Sequence, residues 1–403
     1  MTGARTLAPD PLLAWREEFP ILATSTYLVS NSLGAMPRNV PDRLAEYAGR
    51  WATDGVQAWA RGWWEMPVTV GDEIAPLIGA GAGEVAMVPN VTAAQALILS
   101  AIDFRGERDT IVMTALDFPS VRYVSDALAA KFGARVVVVP SEDGMSVSEE
   151  AIIAAIDERT ALVAISHVLF RSAWIIDAGK VARAAHERGA LFALDAFHSV
   201  GILPVDVKAI DADFLTGGVL KWLCGGPGGC FVYVAPSVRD TLAPALGGWQ
   251  GHARPFAFEA TMTPAPGIAR WLGGTPSIPA LYAATEGPRI IRQAGIAAVR
   301  AKSERQTAAL IALAEARGYP VAAPLASSRR GGTVAFDVPH GLEVSRCLLE
   351  REIIVDYRPG AGIRVAPHFY TSDDELELVV GEIDQIIERG DWRRHAGRSA
   401  VVT

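Results

Sequence analysis

Two stretches carry the residue types that do chemistry. Leu194-Asp195-Ala196-Phe197-His198-Ser199-Val200-Gly201 sets a carboxylate and an imidazole close together behind an apolar run. Gly217-Gly218-Val219-Leu220-Lys221-Trp222-Leu223-Cys224-Gly225-Gly226-Pro227-Gly228-Gly229 sets a lysine between apolar neighbours, 26 residues after Asp195. Apolar surroundings disfavour an ammonium, and a neutral amine is what attack on a carbonyl requires. A carboxylate beside a pyridine nitrogen keeps that nitrogen protonated and makes the ring an electron sink. The expected catalytic set is therefore Lys221 as a Schiff-base lysine for pyridoxal 5'-phosphate (PLP) and Asp195 at the ring nitrogen, with His198 three residues further on. The competing readings are a lysine snorkelling from a strand end and a satisfied core histidine.

These residues need elements to hold them. From about Glu84 to Pro236, β-branched runs alternate with helical spacing. Strands are predicted at Glu84–Val88, Thr110–Thr114, Arg135–Val139, Ala161–Ser166, Leu191–Asp195 and Asp213–Gly217. Helices are predicted at Thr92–Ile102, Tyr123–Phe132 and Ala178–Arg188, the last closed by Gly189. The four consecutive valines after Arg135 predict a buried parallel strand. This rhythm gives an α/β protein with a mostly parallel sheet covered by helices on both faces, and Asp195 falls at the strand end where ligands of such sheets gather. A Gly/Pro-rich stretch from Pro244 to Pro279 is too long for a turn and is expected to be functional. A long helix from Pro288 to Arg317 then opens a smaller α/β domain. Its further elements are strands at Thr333–Val338, Ile353–Asp356 and Ile363–Ala366, a helix at Glu343–Glu350, and a last helix starting with a Ser372/Glu375 capping box.

Several motifs, in order along nearly the whole chain, resemble the class V aminotransferase group of fold-type I PLP enzymes, and within it the kynureninase branch. They are Asn31-Ser32-Leu33-Gly34, Asn90-Val91-Thr92, Asp117-Phe118-Pro119-Ser120, the Asp195 and Lys221 segments, Gly248-Trp249-Gln250-Gly251-His252 and Gly362-Ile363-Arg364-Val365-Ala366-Pro367. The resemblance implies a large PLP-binding domain with a mostly parallel seven-stranded sheet (61–285), a small C-terminal α/β domain (286–403), and an N-terminal segment (1–60) packed on the small domain and the active site. It implies cofactor contacts from Val91 and Thr92 to the phosphate, Phe118 stacking on the ring, and Ser166, Asp195, His198 and Lys221 around it. Trp249 and Thr275 would reach the site of a partner subunit in a homodimer with shared active sites. Asn31, Ser32 and Arg364 would hold the substrate, the arginine fork suiting a carboxylate. Each position also has a purely structural reading: N-capping for Asn90 and Thr92, core packing for Phe118, a satisfied loop hydroxyl for Ser166, packing for Trp249 and Thr275, and an ion pair for Arg364.

The pattern departs from kynureninase where substrate is read. Leu220 stands where a tyrosine precedes the lysine, Val56 where a histidine is expected, and Thr275 where an asparagine helps read the aryl ketone. Kynureninase-like enzymes of specialised metabolism, including lincosamide antibiotic pathways, act on S-conjugated cysteine. A lyase cleaving at Cβ, by C–S β-elimination of such a conjugate, is the expected function. Kynureninase-type C–C hydrolysis, decarboxylation-coupled oxidative deamination, transamination and a catalytically dead PLP-fold binding protein remain alternatives. The segment from Tyr357 to Arg364 holds no cysteine, which disfavours persulfide chemistry.

Composition narrows the rest. The chain has 403 residues, half of them hydrophobic, enough to bury a large core in two or three domains. A formal charge of -8 argues against a nucleic-acid partner. Three cysteines without metal-type spacing predict neither a metal site nor disulfide staples, and fit the reducing cytoplasm. The charged, proline-containing first twenty residues do not read as a signal peptide, and no apolar run approaches the roughly 20 residues of a membrane span.

Overall fold

The computed structural model describes residues 10–397, so the outermost parts of the first and last segments expected above (1–9 and 398–403) lie outside the described residues. The central sheet has seven strands: β1 (Val85–Val88), β2 (Thr110–Thr114), β3 (Arg135–Val139), β4 (Thr160–Ser166), β5 (Leu191–Asp195), β6 (Phe214–Gly218) and β7 (Cys230–Val234). Their order is β1-β7-β6-β5-β4-β2-β3. The run from β6 to β3 is parallel, and β7 pairs antiparallel with both β6 and β1. Buried Phe192, Leu194, Leu215, Phe231 and Val163 belong to one hydrophobic cluster, and Ile111, Leu162, Phe214 and Val232 to another. The alternation of Phe192/Leu194 with Ala193, and of Phe214 with Leu215, sends neighbours to opposite faces, so helices cover both sides.

Two sequence expectations need correction, and one strand is an addition to them. The valine run of β3 is the sheet's edge strand, not a fully buried one: Arg135 is exposed and Val136 to Val138 are only half-buried. The strand β7 was not singled out, although its Cys-Phe-Val-Tyr-Val run is wholly buried. The long helix expected from Pro288 to Arg317 is two, Glu286–Ala294 and Ile296–Glu315, divided at Gly295. Gly295 has φ +83°, a conformation that ends a helix at little cost only for glycine.

A second, three-stranded antiparallel sheet is formed by β8 (Val334–Phe336), β9 (Asp356–Arg358) and β10 (Gly362–Val365), in the order β9-β10-β8. Its core is separate and joins Leu310, Val334, Phe336, Ile363, Val379 and Ile383. The last helix, Asp373–Arg389, has the expected capping box, and Glu375 also pairs with Arg16 at 2.7 Å. The N-terminal segment is tied into this second unit: Thr26–Tyr27 pairs in parallel with Ile353–Ile354, Val29 bridges Ala366, and Leu28 lies in its core. No helix among the described residues is long and apolar enough to cross a membrane.

Candidate active site

The strand ends of the central sheet converge where chemistry was expected. Ser166 closes β4 beside Asp195, which closes β5, and Asp195 pairs in register with Thr216 of β6. The chain leaves β6 at Gly218 and turns, so that Lys221 sits just beyond this edge. The N-terminal segment supports the turn from below. The Gly34 N–H donates to the Leu220 carbonyl at 2.7 Å, and a Cβ at Gly34 would fall 2.2 Å from the Lys221 carbonyl oxygen. Only glycine fits there, which gives the Asn-Ser-Leu-Gly motif its physical meaning.

Asn31, Ser32, Val91, Phe118, Ser166, Asp195, His198, Lys221 and Arg364 all line one cavity of about 340 Å³. Nζ of Lys221 lies 2.6 Å from Nε2 of His198, and 5.5 and 5.6 Å from the ring centroids of Phe118 and Phe197. Burial pushes the Lys221 amine below the ordinary lysine range, an effect the Asp195 charge partly opposes. Burial likewise pushes the Asp195 carboxyl up, partly offset by the Phe197 N–H at 2.9 Å. His198 is held neutral, first by burial and then by the nearby cations.

Arg364 is buried and almost fully oriented. Its Nε donates to Asp356 Oδ1 at 2.8 Å, its Nη2 to Asp356 Oδ2, and its Nη1 to the Phe170 carbonyl at 2.6 Å. These three bonds leave one N–H on each Nη atom, the paired donors that match a carboxylate. The ion-pair reading of Arg364 is thus also true, with a buried partner rather than a surface one.

The sequence reading missed several neighbours. Phe170, Phe197 and Arg358 line the cavity, and Asp356 braces Arg364. Asp117 was read only as part of the Phe118 segment, yet its buried carboxylate accepts from the Thr114 N–H at 2.7 Å and the Ser166 N–H at 2.8 Å, tying the ends of β2 and β4 together. Asp356 had a signal, a single carboxylate following the apolar Ile353-Ile354-Val355.

Three expected residues stand apart from Lys221 in this chain. Thr92 is exposed in the first turn of helix Val91–Ala101. Trp249 and Thr275 line a different cavity, of about 540 Å³, together with Val56, Trp59, Trp64 and Phe256. Trp64 packs edge-on to Trp249 at 5.0 Å, and Trp249 stacks on Phe258 at 5.9 Å.

The residues present fit a phosphorylated pyridine aldehyde. Asn90 caps Ala93 N, leaving the Val91 and Thr92 N–H groups without intrahelical acceptors at the helix start, where Asn90 and Val91 border the cavity, as an anion site requires. Both polar atoms of the Asn31 amide are buried without a partner on the same cavity wall. A buried lysine and a buried carboxyl with raised proton affinity complete the set.

Fold and site together define a fold-type I PLP enzyme. The model of the family described as Aminotransferase class-V matches residues 26–369. The chain belongs to the class V aminotransferase family, as a kynureninase-like member, and its cofactor is pyridoxal 5'-phosphate. It is 34% identical to a kynureninase of Burkholderia pseudomallei (strain K96243), over 97% of both chains. It is 33% identical to a kynureninase of Pseudomonas fluorescens, over 96% of this chain and 94% of the other. Its fold is similar to the cysteine desulfurase of Thermococcus onnurineus NA1, with a TM-score of 0.82, 22% identity and coverage of 96% and 100%. The cystine C–S lyase C-DES, solved with its product cysteine persulfide, matches with a TM-score of 0.81 at 19% identity, over 91% and 98% of the chains. The protein is a PLP-dependent enzyme of this family.

Proposed function

We propose that this enzyme cleaves the Cβ–S bond of an S-conjugated L-cysteine, with Lys221, Asp195, His198 and Arg364 as its working residues. The net reaction consumes one water and yields a thiol, pyruvate and ammonium. The observation that carries the reading is the pairing, in one cavity, of a buried lysine with an oriented arginine, next to Leu220 where a kynureninase has tyrosine. When bound, the cofactor supplies an electron sink for negative charge at Cα. The free Nη hydrogens of Arg364 receive the substrate carboxylate and fix which Cα bond faces the sink. Lys221, its proton affinity lowered by burial, takes the Cα proton. His198, at hydrogen-bond distance from Nζ, holds that amine in place. Asp195 holds a proton at the ring nitrogen. Val91 and Thr92 would supply N–H groups to the phosphate, Phe118 would pack against the ring, and Ser166, Asn31 and Ser32 complete the polar lining.

The reading extends to a homodimer in which the loop bearing Trp249 and Thr275 lines the partner's site. Exposed Trp249, Phe256 and Phe258 beside an open aromatic cavity support it. The character of that cavity supports the substrate reading: Val56 and Thr275 stand where a histidine and an asparagine would read an aryl ketone, and walls rich in Trp59, Trp64, Trp249 and Phe256 accept a bulky S-substituent. The division at about residues 60 and 285 is part of the same reading, supported by the separate core of the second sheet. A cytoplasmic site of action accords with three buried, unpaired cysteines.

Kynurenine hydrolysis is the second reading, favoured by the relatives named kynureninase at 34% identity. Mixing PLP-loaded protein with L-kynurenine and with S-alkyl-L-cysteines, and analysing products, separates the two. Pyruvate, ammonium and thiol from the conjugates are expected. Anthranilate and alanine from kynurenine, with no thiol released, refute C–S cleavage.

A further inference from the structure

Resting on the reading of Arg364 as the carboxylate reader, we infer that Arg358 is a positioning residue that keeps Arg364 electrostatically available, by balancing the carboxylate of Asp356. Asp356 and Arg358 are alternate residues of β9, so their side chains leave the same face, and Asp356 pairs in register with Arg364 on β10. Asp356 is wholly buried and Arg364 is 3% exposed. A buried, bidentate pair of one cation and one anion has no net charge with which to draw in a substrate anion, and its donors alone would have to offset the desolvation of that anion. Arg358 changes this balance. Its Nη2 lies 3.1 Å from Asp356 Oδ2, the same oxygen that Arg364 Nη2 reaches, and its Nη1 donates to the Tyr357 carbonyl at 3.0 Å. Arg358 also borders the cavity itself. Two guanidiniums on one carboxylate leave a single positive charge, the complement of one substrate carboxylate. Burial works against a charge on Lys221, which leaves the two guanidiniums as the source of it.

The test measures the affinity of PLP-loaded protein for L-alanine and for L-alaninamide by titration calorimetry. The two differ only in the carboxylate, and their affinity ratio is compared between variants at one pH. Arg358→Met is expected to cut the preference for the acid by about tenfold, the size of one unit of charge interaction. Arg358→Lys keeps most of the preference. The double variant Asp356→Asn/Arg358→Met, again with one net positive charge, recovers it to within about threefold. An unchanged cofactor absorbance band shows that each variant is folded and loaded. A wild-type preference in Arg358→Met, or Arg358→Lys as impaired as Arg358→Met, overturns the inference. Arg364→Met separates this from the underlying reading: if it keeps the acid preference, Arg364 is not the carboxylate reader at all. If it loses that preference while Arg358→Met does not, only the role of Arg358 fails.

Discussion

The amine of Lys221 and the imidazole of His198 share one short hydrogen bond, 2.6 Å between Nζ and Nε2, in a place that favours the neutral form of both. A proton arriving at Nζ therefore has a second nitrogen within reach, and the cation it creates is disfavoured by burial at either one, which eases its onward transfer.

Cofactor capture follows the neutral amine. Because burial lowers the proton affinity of Lys221, the rate at which apo-protein acquires its PLP absorbance band rises with pH and levels off below 10.5, the ordinary lysine value. Between the lowered value and 10.5 the unfolded chain binds more protons than the folded one, so the contribution of Lys221 to stability also rises with pH there. An inflection at or above 10.5 contradicts the burial argument. Lys221→Ala removes the band altogether.

Replacing His198 by alanine leaves the band but lowers kcat on the order of a hundredfold, the scale expected when the proton-transferring amine of Lys221 loses the group that holds it. Steady-state kinetics on the cysteine conjugate, beside an absorbance spectrum, checks both halves of this expectation.

Asn31 sits with both amide atoms buried and unpartnered. Its removal deletes no internal hydrogen bond, so Asn31→Ala is expected to change thermal stability little while raising KM by about tenfold, the worth of one polar contact to substrate. A large fall in Tm with unchanged KM would make the residue structural.

Gly34→Ala drives a methyl into the Lys221 carbonyl at 2.2 Å and the Cys224 sulfur at 2.8 Å. Destabilisation of about 1–3 kcal/mol and weakened PLP retention are expected together, measured by denaturant unfolding and by dialysis of the holoenzyme.

If the loop of Trp249 serves the partner's site, Lys221→Ala and Trp249→Ala are each impaired as homodimers. Coexpressed, they form heterodimers with one complete site, and activity recovers to about a quarter of wild type. No recovery on coexpression would place Trp249 in its own subunit's packing.

Much of this site was readable from motif positions because local chemistry fixes them. Asp195 ends an apolar run that forms a buried strand, Lys221 follows another such strand by three residues, and nine of the expected residues meet in one cavity. What escaped depends on distant partners. The role of Asp117 is to receive an N–H from Ser166, 49 residues away, which no local pattern reveals. Asp356 looked like an irregular end to a short strand until Arg364 was placed opposite it. The edge position of β3 follows from sheet order, not from valine content, and the aromatic cavity around Trp249 involves segments near residues 60, 250 and 275 that are remote in sequence. The break at Gly295 was legible as a glycine but not as a positive φ.

The lysine turn is completed by segments from both extremes of the sequence. Gly34 seats against Leu220 and Lys221, while the adjoining Val29 bridges Ala366, two residues past Arg364. A ribosome-bound chain that has finished the central sheet but not its last quarter lacks that clamp and the arginine it secures. Firm retention of the coenzyme is thus expected to require that both of these distant segments are docked, and not the central sheet alone.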